Sequence, residues 1–136
     1  MSKLAVVYWT MTGNTEAMAQ AVAEGATDAD VIAVADFSAD KVADYDAFAF
    51  GCPAMGAEEL DTDEFEPVWD ECCPEFGDKP VALFGSYDWG TGEWMETWKS
   101  HAEEAGVQVV DTVIANLEPD NDVIEALKNL GAKLSA

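Results

Sequence analysis

Residues 3–26 read KLAVVYWTMTGNTEAMAQAVAEGA, and the hydrophobic period changes once within them. Residues 3–9 form a short apolar run rich in β-branched and aromatic side chains, as a buried strand requires. From Thr15 onward the small or apolar positions Thr15, Met18, Ala19, Val22, Ala23 and Ala26 recur at i, i+3, i+4, i+7, i+8 and i+11, which is one face of a helix. A strand feeding directly into a helix is the first half of a βαβ unit, the connection that parallel strands need.

The same alternation continues along the chain. Residues 30–35, 47–52, 80–85 and 107–115 read as four further strands, and residues 37–42 are too polar and too short to assign. Phe65, Val68, Trp69, Cys72, Cys73 and Phe76 repeat the helical stripe, with Asp63 and Glu66 spaced like a capping box. Trp94, Met95, Trp98, Ala102 and Ala105 mark a helix that stops at Gly106. The last helix starts after Pro119, with Asp120 to Asp122 as its cap, and turns Val123, Leu127, Leu130 and Leu134 inward. Continuous apolar strands separated by helices predict an α/β fold: a doubly wound, five-stranded parallel sheet covered on both faces. There is no internal repeat, low-complexity stretch or linker, so residues 1–136 are expected to form a single domain.

Composition narrows the function. The 136 residues are 49% hydrophobic and include five tryptophans, enough to fill one core and unlike a disordered acidic tail. Six lysines and no arginine face 28 carboxylates, for a net charge of -22. Counterion-release binding to nucleic acid is excluded on that balance, as is docking on an anionic membrane, whereas basic partner proteins are favoured. No apolar run reaches the roughly 18 residues of a membrane span, and the opening residues read as a strand instead of a signal peptide, so a cytoplasmic protein is expected. Cys52, Cys72 and Cys73 are odd in number and lack a C-x-x-C spacing; they fit neither a disulfide framework nor a zinc site and read as reduced, structural thiols. His101, the only histidine, falls on a polar helix flank with no visible catalytic partner.

In a doubly wound sheet ligands bind beyond the carboxyl ends of the strands, where the strand order reverses. After strand one, Thr10-Met11-Thr12-Gly13-Asn14-Thr15 brings three hydroxyls, a glycine and an asparagine to a helix start, a composition suited to a phosphate held by backbone N–H groups, the helix dipole and neutral donors. The loop has no lysine, so it is not the G-x-x-x-x-G-K-S/T loop of a triphosphate site. After strand three stands Pro53-Ala54-Met55-Gly56-Ala57-Glu58-Glu59, and after strand four Ser86-Tyr87-Asp88-Trp89-Gly90-Thr91-Gly92. Each loop sets a polarizable or aromatic side chain beside glycines, and a planar ring bound between Met55 and Trp89 accounts for both.

These segments together resemble the short-chain flavodoxins, over the whole chain. Thr10 to Thr15 resembles the family's S/T-x-T-G-N-T loop, Gly51 to Glu58 its G-C-x-A-M-G-x-E loop, and Val81 to Trp94 its V-x-L-F-G-S-Y-G-W-G-x-G-x-W stretch. The resemblance implies a flavodoxin-like sheet of strand order 2-1-3-4-5, one noncovalent FMN, and service as a low-potential, monomeric one-electron carrier cycling between the flavin semiquinone and hydroquinone. It implies that Thr10, Thr12, Gly13, Asn14 and Thr15 hold the phosphate, that Met55 and Trp89 cover the ring faces, that the Gly56 carbonyl meets the flavin N5-H after a peptide flip, and that Glu58 accepts from N3-H. Backbone groups of Ala57, Ser86, Asp88 and Gly90 are expected at the polar edge of the ring and Asn116 near the ribityl or ring edge, with Met11, Pro53, Ala54 and Tyr87 completing the loops. Redox partners with basic docking surfaces follow from the same resemblance and from the charge.

Rival readings are weaker on the residues themselves. A phosphoacceptor receiver domain needs acidic groups where Thr10 and Pro53 stand, and a low-molecular-weight phosphatase needs an arginine that the chain lacks. A colourless binding module that has kept only the fold would show no flavin spectrum. An FMN-dependent quinone or nitro-compound reductase remains as the alternative, although nothing supplies a nicotinamide-phosphate clamp. Against the family pattern, Met11 stands in place of glycine or threonine, Ala57 where polar residues are frequent, and Asp88 where glycine is usual. Aspartate tolerates the left-handed backbone, so Asp88 is expected to preserve the turn and to add a charge beside the ring. A unit charge about 8 Å away at an effective dielectric of about 20 opposes a new anion by roughly 2 kcal/mol, or roughly 90 mV for one electron. Asp88→Asn is therefore expected to raise the potential of the second one-electron step by tens of millivolts after screening and to leave the first nearly unchanged. Redox titration at low and moderate salt reads both, and equal shifts would instead indicate a change in stacking or backbone.

Overall fold

Val6 and Val7, at the centre of the first apolar run, are fully buried because strands pair on both sides of it and helices cover both faces. The computed structural model describes residues 3–9, 13–53, 64–87, 92–116 and 119–135. Through them run β1 (Leu4–Tyr8), α1 (Asn14–Gly25), β2 (Ala29–Ala33), β3 (Ala47–Gly51), α2 (Phe65–Cys72), β4 (Pro80–Tyr87), α3 (Glu93–Glu104), β5 (Gln108–Asn116) and α4 (Asn121–Leu134). The strands form one parallel sheet in the order β2-β1-β3-β4-β5, as expected.

Strand side chains alternate between two unlike cores. Ala5, Val7, Phe48, Phe50, Val81 and Leu83 face α2 and α3, where they meet Phe65, Trp69, Phe76 and Trp98. Leu4, Val6, Ala47, Ala49, Ala82 and Phe84 face α1 and α4, against Met18, Val22, Leu127 and Leu130. The first core is built of rings: Phe50 lies edge-on to Phe37, Phe65, Trp69 and Phe76 at centroid distances of 5.9, 6.2, 5.1 and 5.6 Å. The second is thin, since alanines on the sheet let the helices approach closely. There α1 and α4 touch backbone to backbone: a Cβ at Gly131 would lie 1.9 Å from the Val22 carbonyl oxygen.

Several element ends differ from the sequence expectation. β2 stops at Ala33, and Val34–Asp36 turns into a 3₁₀ segment that buries Val34; a second 3₁₀ segment, Ala39–Asp44, fills the stretch left unassigned and buries Val42. The capping box read from Asp63 and Glu66 places the helix start at Asp63. α2 begins one residue later, with Glu64 at its N-cap and no side-chain cap, because buried Phe65 is held edge-on between Phe50 and Trp98; Asp63 itself lies outside the described residues. β4 runs two residues past its expected end because β5 offers it partners as far as Tyr87↔Asn116. At α4 the cap is as expected, with the Asp120 carboxylate accepting from the Val123 N–H at 2.9 Å.

Among the described residues no disulfide joins the cysteines, which serve the packing. Cys52 and Cys72 are buried and Cys73 is half-buried. Burial pushes both Cys72 and Cys73 up to about 12, with the neighbouring thiol and the Glu71 charge adding at Cys72 and the Asp70 charge at Cys73. Burial also raises Tyr45 to about 12, helped by the hydrogen bond its hydroxyl donates to Asp30 Oδ2 at 2.8 Å.

Two outcomes follow from this packing. Gly131→Ala should destabilise the fold by roughly 1–3 kcal/mol in a urea titration, even though alanine is the better helix former, because the added methyl meets a backbone oxygen and cannot rotate away. The second concerns alkali. The unfolded chain releases the Cys72, Cys73 and Tyr45 protons near 9 to 10 while the native chain holds them to about 12, so the native state binds more protons in that window. Stability should therefore fall as pH rises from about 9 to about 12, and a Cys72→Ala chain should show a shallower decline in its urea midpoint.

Candidate functional site

β1 pairs with β2 on one edge and β3 on the other, while the crossover helix after β1 covers one face and that after β3 covers the opposite face. The segments leaving β1 and β3 therefore diverge and open a crevice at the carboxyl ends of the strands. Into this end project the start of α1, Pro53 just beyond β3, the end of β4, and Asn116 at the end of β5.

Gly13 precedes α1 in a left-handed conformation, φ 94°, and brings no side chain over the helix start. Among the described residues nothing lies within 4 Å of where its Cβ would stand. The N–H groups of the first turn, reinforced by the helix dipole, lie at the crevice end of the sheet. Asn14 is the first residue of the helix and half-buried, and Thr15 follows at 1% exposure. The Thr15 hydroxyl shares a hydrogen bond of 3.1 Å with that of Ser86, itself 4% exposed, so the start of α1 and the end of β4 are joined at the crevice end of the sheet. This is a set of neutral donors around a helix start, and it fits a phosphate.

Ser86 and Tyr87 belong to β4 and not to a loop, correcting the expected strand end. Alternation puts Ser86 on the face of Ala82 and Phe84, toward α1, whereas the expected role of Ser86 involved its backbone alone. That role of the side chain was missed, although a lone hydroxyl closing the apolar run 81–86 was its signal. Asn116 donates from Nδ2 to the Tyr87 carbonyl at 3.2 Å and ties the ends of the two strands together. Cys52 sits beneath the crevice with its thiol 3.5 Å from the Pro53 carbonyl, which accepts from it. Thr10, Met11, Thr12, Ala54, Met55, Gly56, Ala57, Glu58, Asp88, Trp89 and Gly90 lie outside the described residues.

Carboxylates stand at both ends of the sheet, with Glu24, Asp28, Asp46 and Asp78 among those away from the crevice. Glu16, Glu64, Glu93, Asp120 and Asp122 stand at or near the crevice end, where burial and then the Glu16 and Asp36 charges push the Tyr8 hydroxyl upward. Most lysines fall away from it: Lys3 precedes β1, Lys79 precedes β4, Lys99 is midway along α3, and Lys128 and Lys133 are in the second half of α4, while Lys41 donates to the Asp36 carbonyl just past β2. Lys79 caps carbonyls of Val42 and Tyr45, and Lys128 lies 3.6 Å from Glu24. Among the described residues no cluster of histidine, cysteine and carboxylate groups could hold a metal ion.

A family model described as flavodoxin matches residues 6–133. The chain is similar to a flavodoxin of Megasphaera elsdenii, 46% identical over 120 residues that cover 85% of this chain and 88% of that one. It is similar also to a flavodoxin of Clostridium beijerinckii, 41% identical over 133 residues, 92% of this chain and 96% of that one. Among solved structures, that of the two-electron reduced Megasphaera elsdenii flavodoxin in solution superposes with a TM-score of 0.88 at 41% identity, covering 96% of this chain and 98% of that chain. A flavodoxin from the domain Archaea superposes with a TM-score of 0.84 at 29% identity, covering 98% and 96%.

Proposed function

The chain belongs to the flavodoxin family, and from that premise we propose that the carboxyl ends of β1, β3 and β4 are where it holds its cofactor. It is an FMN-based electron carrier and not an enzyme. The flavin supplies the chemistry when bound, taking up and releasing one electron at a time; the chain's own residues bind it, orient it and shield it from water.

The observation that carries the site is the opening of α1: a left-handed Gly13 before the helix start, and buried Thr15 joined to Ser86. Neutral donors there balance a phosphate dianion without a lysine or arginine, so the loop adds no positive charge near the ring. Thr10, Thr12, Gly13, Asn14 and Thr15 take the phosphate. Met55 and Trp89 take the two ring faces, the Gly56 carbonyl and Glu58 the N5 and N3 edges, and the backbones of Ala57, Ser86, Asp88 and Gly90 the remaining polar edge. For Asn116 the bond to the Tyr87 carbonyl supports a bracing role at the strand ends, beside the ring edge.

The net charge of -22, with Glu16, Glu64, Glu93, Asp120 and Asp122 at or near the crevice end, supports electron exchange with partner proteins that present basic docking surfaces to the flavin edge. Among the described residues no helix is long and apolar enough to cross a membrane. The 136 residues then serve as one FMN-binding domain, a monomeric cytoplasmic shuttle with no affinity for nucleic acid or anionic membranes.

The purified protein should be yellow and should release one FMN per chain, and no FAD, on acid extraction, because the phosphate site ends at a helix start with no G-x-G-x-x-G turn for a pyrophosphate. Recovery of FAD, or a colourless chain that FMN fails to reconstitute, overturns the assignment.

A further inference from the structure

Ser86 sits opposite the first turn of α1, with its hydroxyl and that of Thr15 in one buried hydrogen bond of 3.1 Å. The pair carries two hydroxyl hydrogens, and the bond between them uses one. If Thr15 donates, its lone pairs are what remain to face the helix start; if Ser86 donates, the Thr15 hydrogen remains free to point there. An anion at the helix start favours the second arrangement and repels the first. We propose that Ser86 is a positioning residue for the phosphate: its hydroxyl donates to Thr15 Oγ1 and thereby aims the Thr15 O–H at the phosphate group of FMN. The inference rests on the FMN reading above and assigns to the Ser86 side chain a role separate from that of its backbone at the ring.

Three features of the placement support it. Both residues are nearly sealed from solvent, at 1% and 4% exposure, so bulk water does not readily replace a lost partner. Ser86 is fixed by strand pairing with Ala115, on the strand face that looks toward α1. Thr15 is the second residue of α1, within the turn whose N–H groups serve the same anion.

The test compares FMN with riboflavin, which has the ring and ribityl chain but no phosphate. Ser86→Ala should weaken FMN binding on the order of tenfold, as loss of a well-aimed bond to a charged group does, and change riboflavin binding by less than about twofold. In a Thr15→Val background the same substitution should cost FMN no further affinity, and Ser86→Cys, which keeps a weak donor, should fall between wild type and Ser86→Ala. The phosphorus NMR resonance of bound FMN should shift in Ser86→Ala, and a urea titration of each apoprotein verifies that it folds. Equal losses for FMN and riboflavin would show a merely structural role and overturn the proposal, as would unchanged FMN affinity or effects that add in the double variant. A wild-type chain that took up neither flavin would overturn the FMN reading itself, and the proposal with it.

Discussion

β1 is paired in parallel along both edges, Leu4 with Ala29 and Ala47 at one end and Tyr8 with Ala33 and Gly51 at the other, and the rest of the molecule is arranged around that double pairing. Parallel partners cannot be reached by a tight turn, so each neighbour must arrive by a crossover, and right-handed crossovers to opposite edges lay their helices on opposite faces. The divergence of the segments after β1 and β3 is a result of chain connectivity. The start of α1 and the ends of β4 and β5 are carried to that divergence, where such sheets take their ligands.

The two faces of the sheet answer different demands. On the side of α2 and α3, phenylalanine and tryptophan rings interlock edge to face and define the core through shape. On the side of α1 and α4, Ala47, Ala49 and Ala82 leave little depth, and the helices come down close to the sheet and to each other. The aromatic side tolerates the buried indole nitrogens of Trp94 and Trp98, which have no hydrogen-bond partner among the described residues, a cost the large apolar contact area offsets.

Most of this was readable before any coordinates. Hydrophobic period alone located five strands and four helices, because each element is long enough for its buried face to repeat. Their ends were less legible. A strand stops where its neighbour stops offering partners, which is why β2 ended early at Ala33 and β4 ran on to Tyr87, and no local pattern in residues 30–35 or 80–87 encodes that. The start of α2 was placed one residue early: its N-cap is Glu64, and Phe65, packed in the ring cluster, opens the first turn. At the site, the helix start after Gly13 was visible as a motif. The contact between Thr15 and Ser86 spans 71 positions and depends on which strand face Ser86 occupies, so it came only with the fold.

The backbone contact at the far end of α1 bears on that same site. α1 is a rod of 12 residues, about 18 Å long, with its first turn at the crevice and its last turn beside α4. Near that last turn Gly131 lies directly against the Val22 carbonyl, and Gly25, the final residue of the rod, lies against the Lys128 carbonyl. Main-chain atoms have no rotamers with which to absorb a displacement, so the rod is clamped at its tail and joined at its head by the Thr15–Ser86 bond. Any side chain that pried the tail outward would act as a lever, swinging the head about the middle of the helix and moving the first turn by a comparable amount. The aim of the helix at the crevice is thus set partly by two glycines at the opposite end of the molecule.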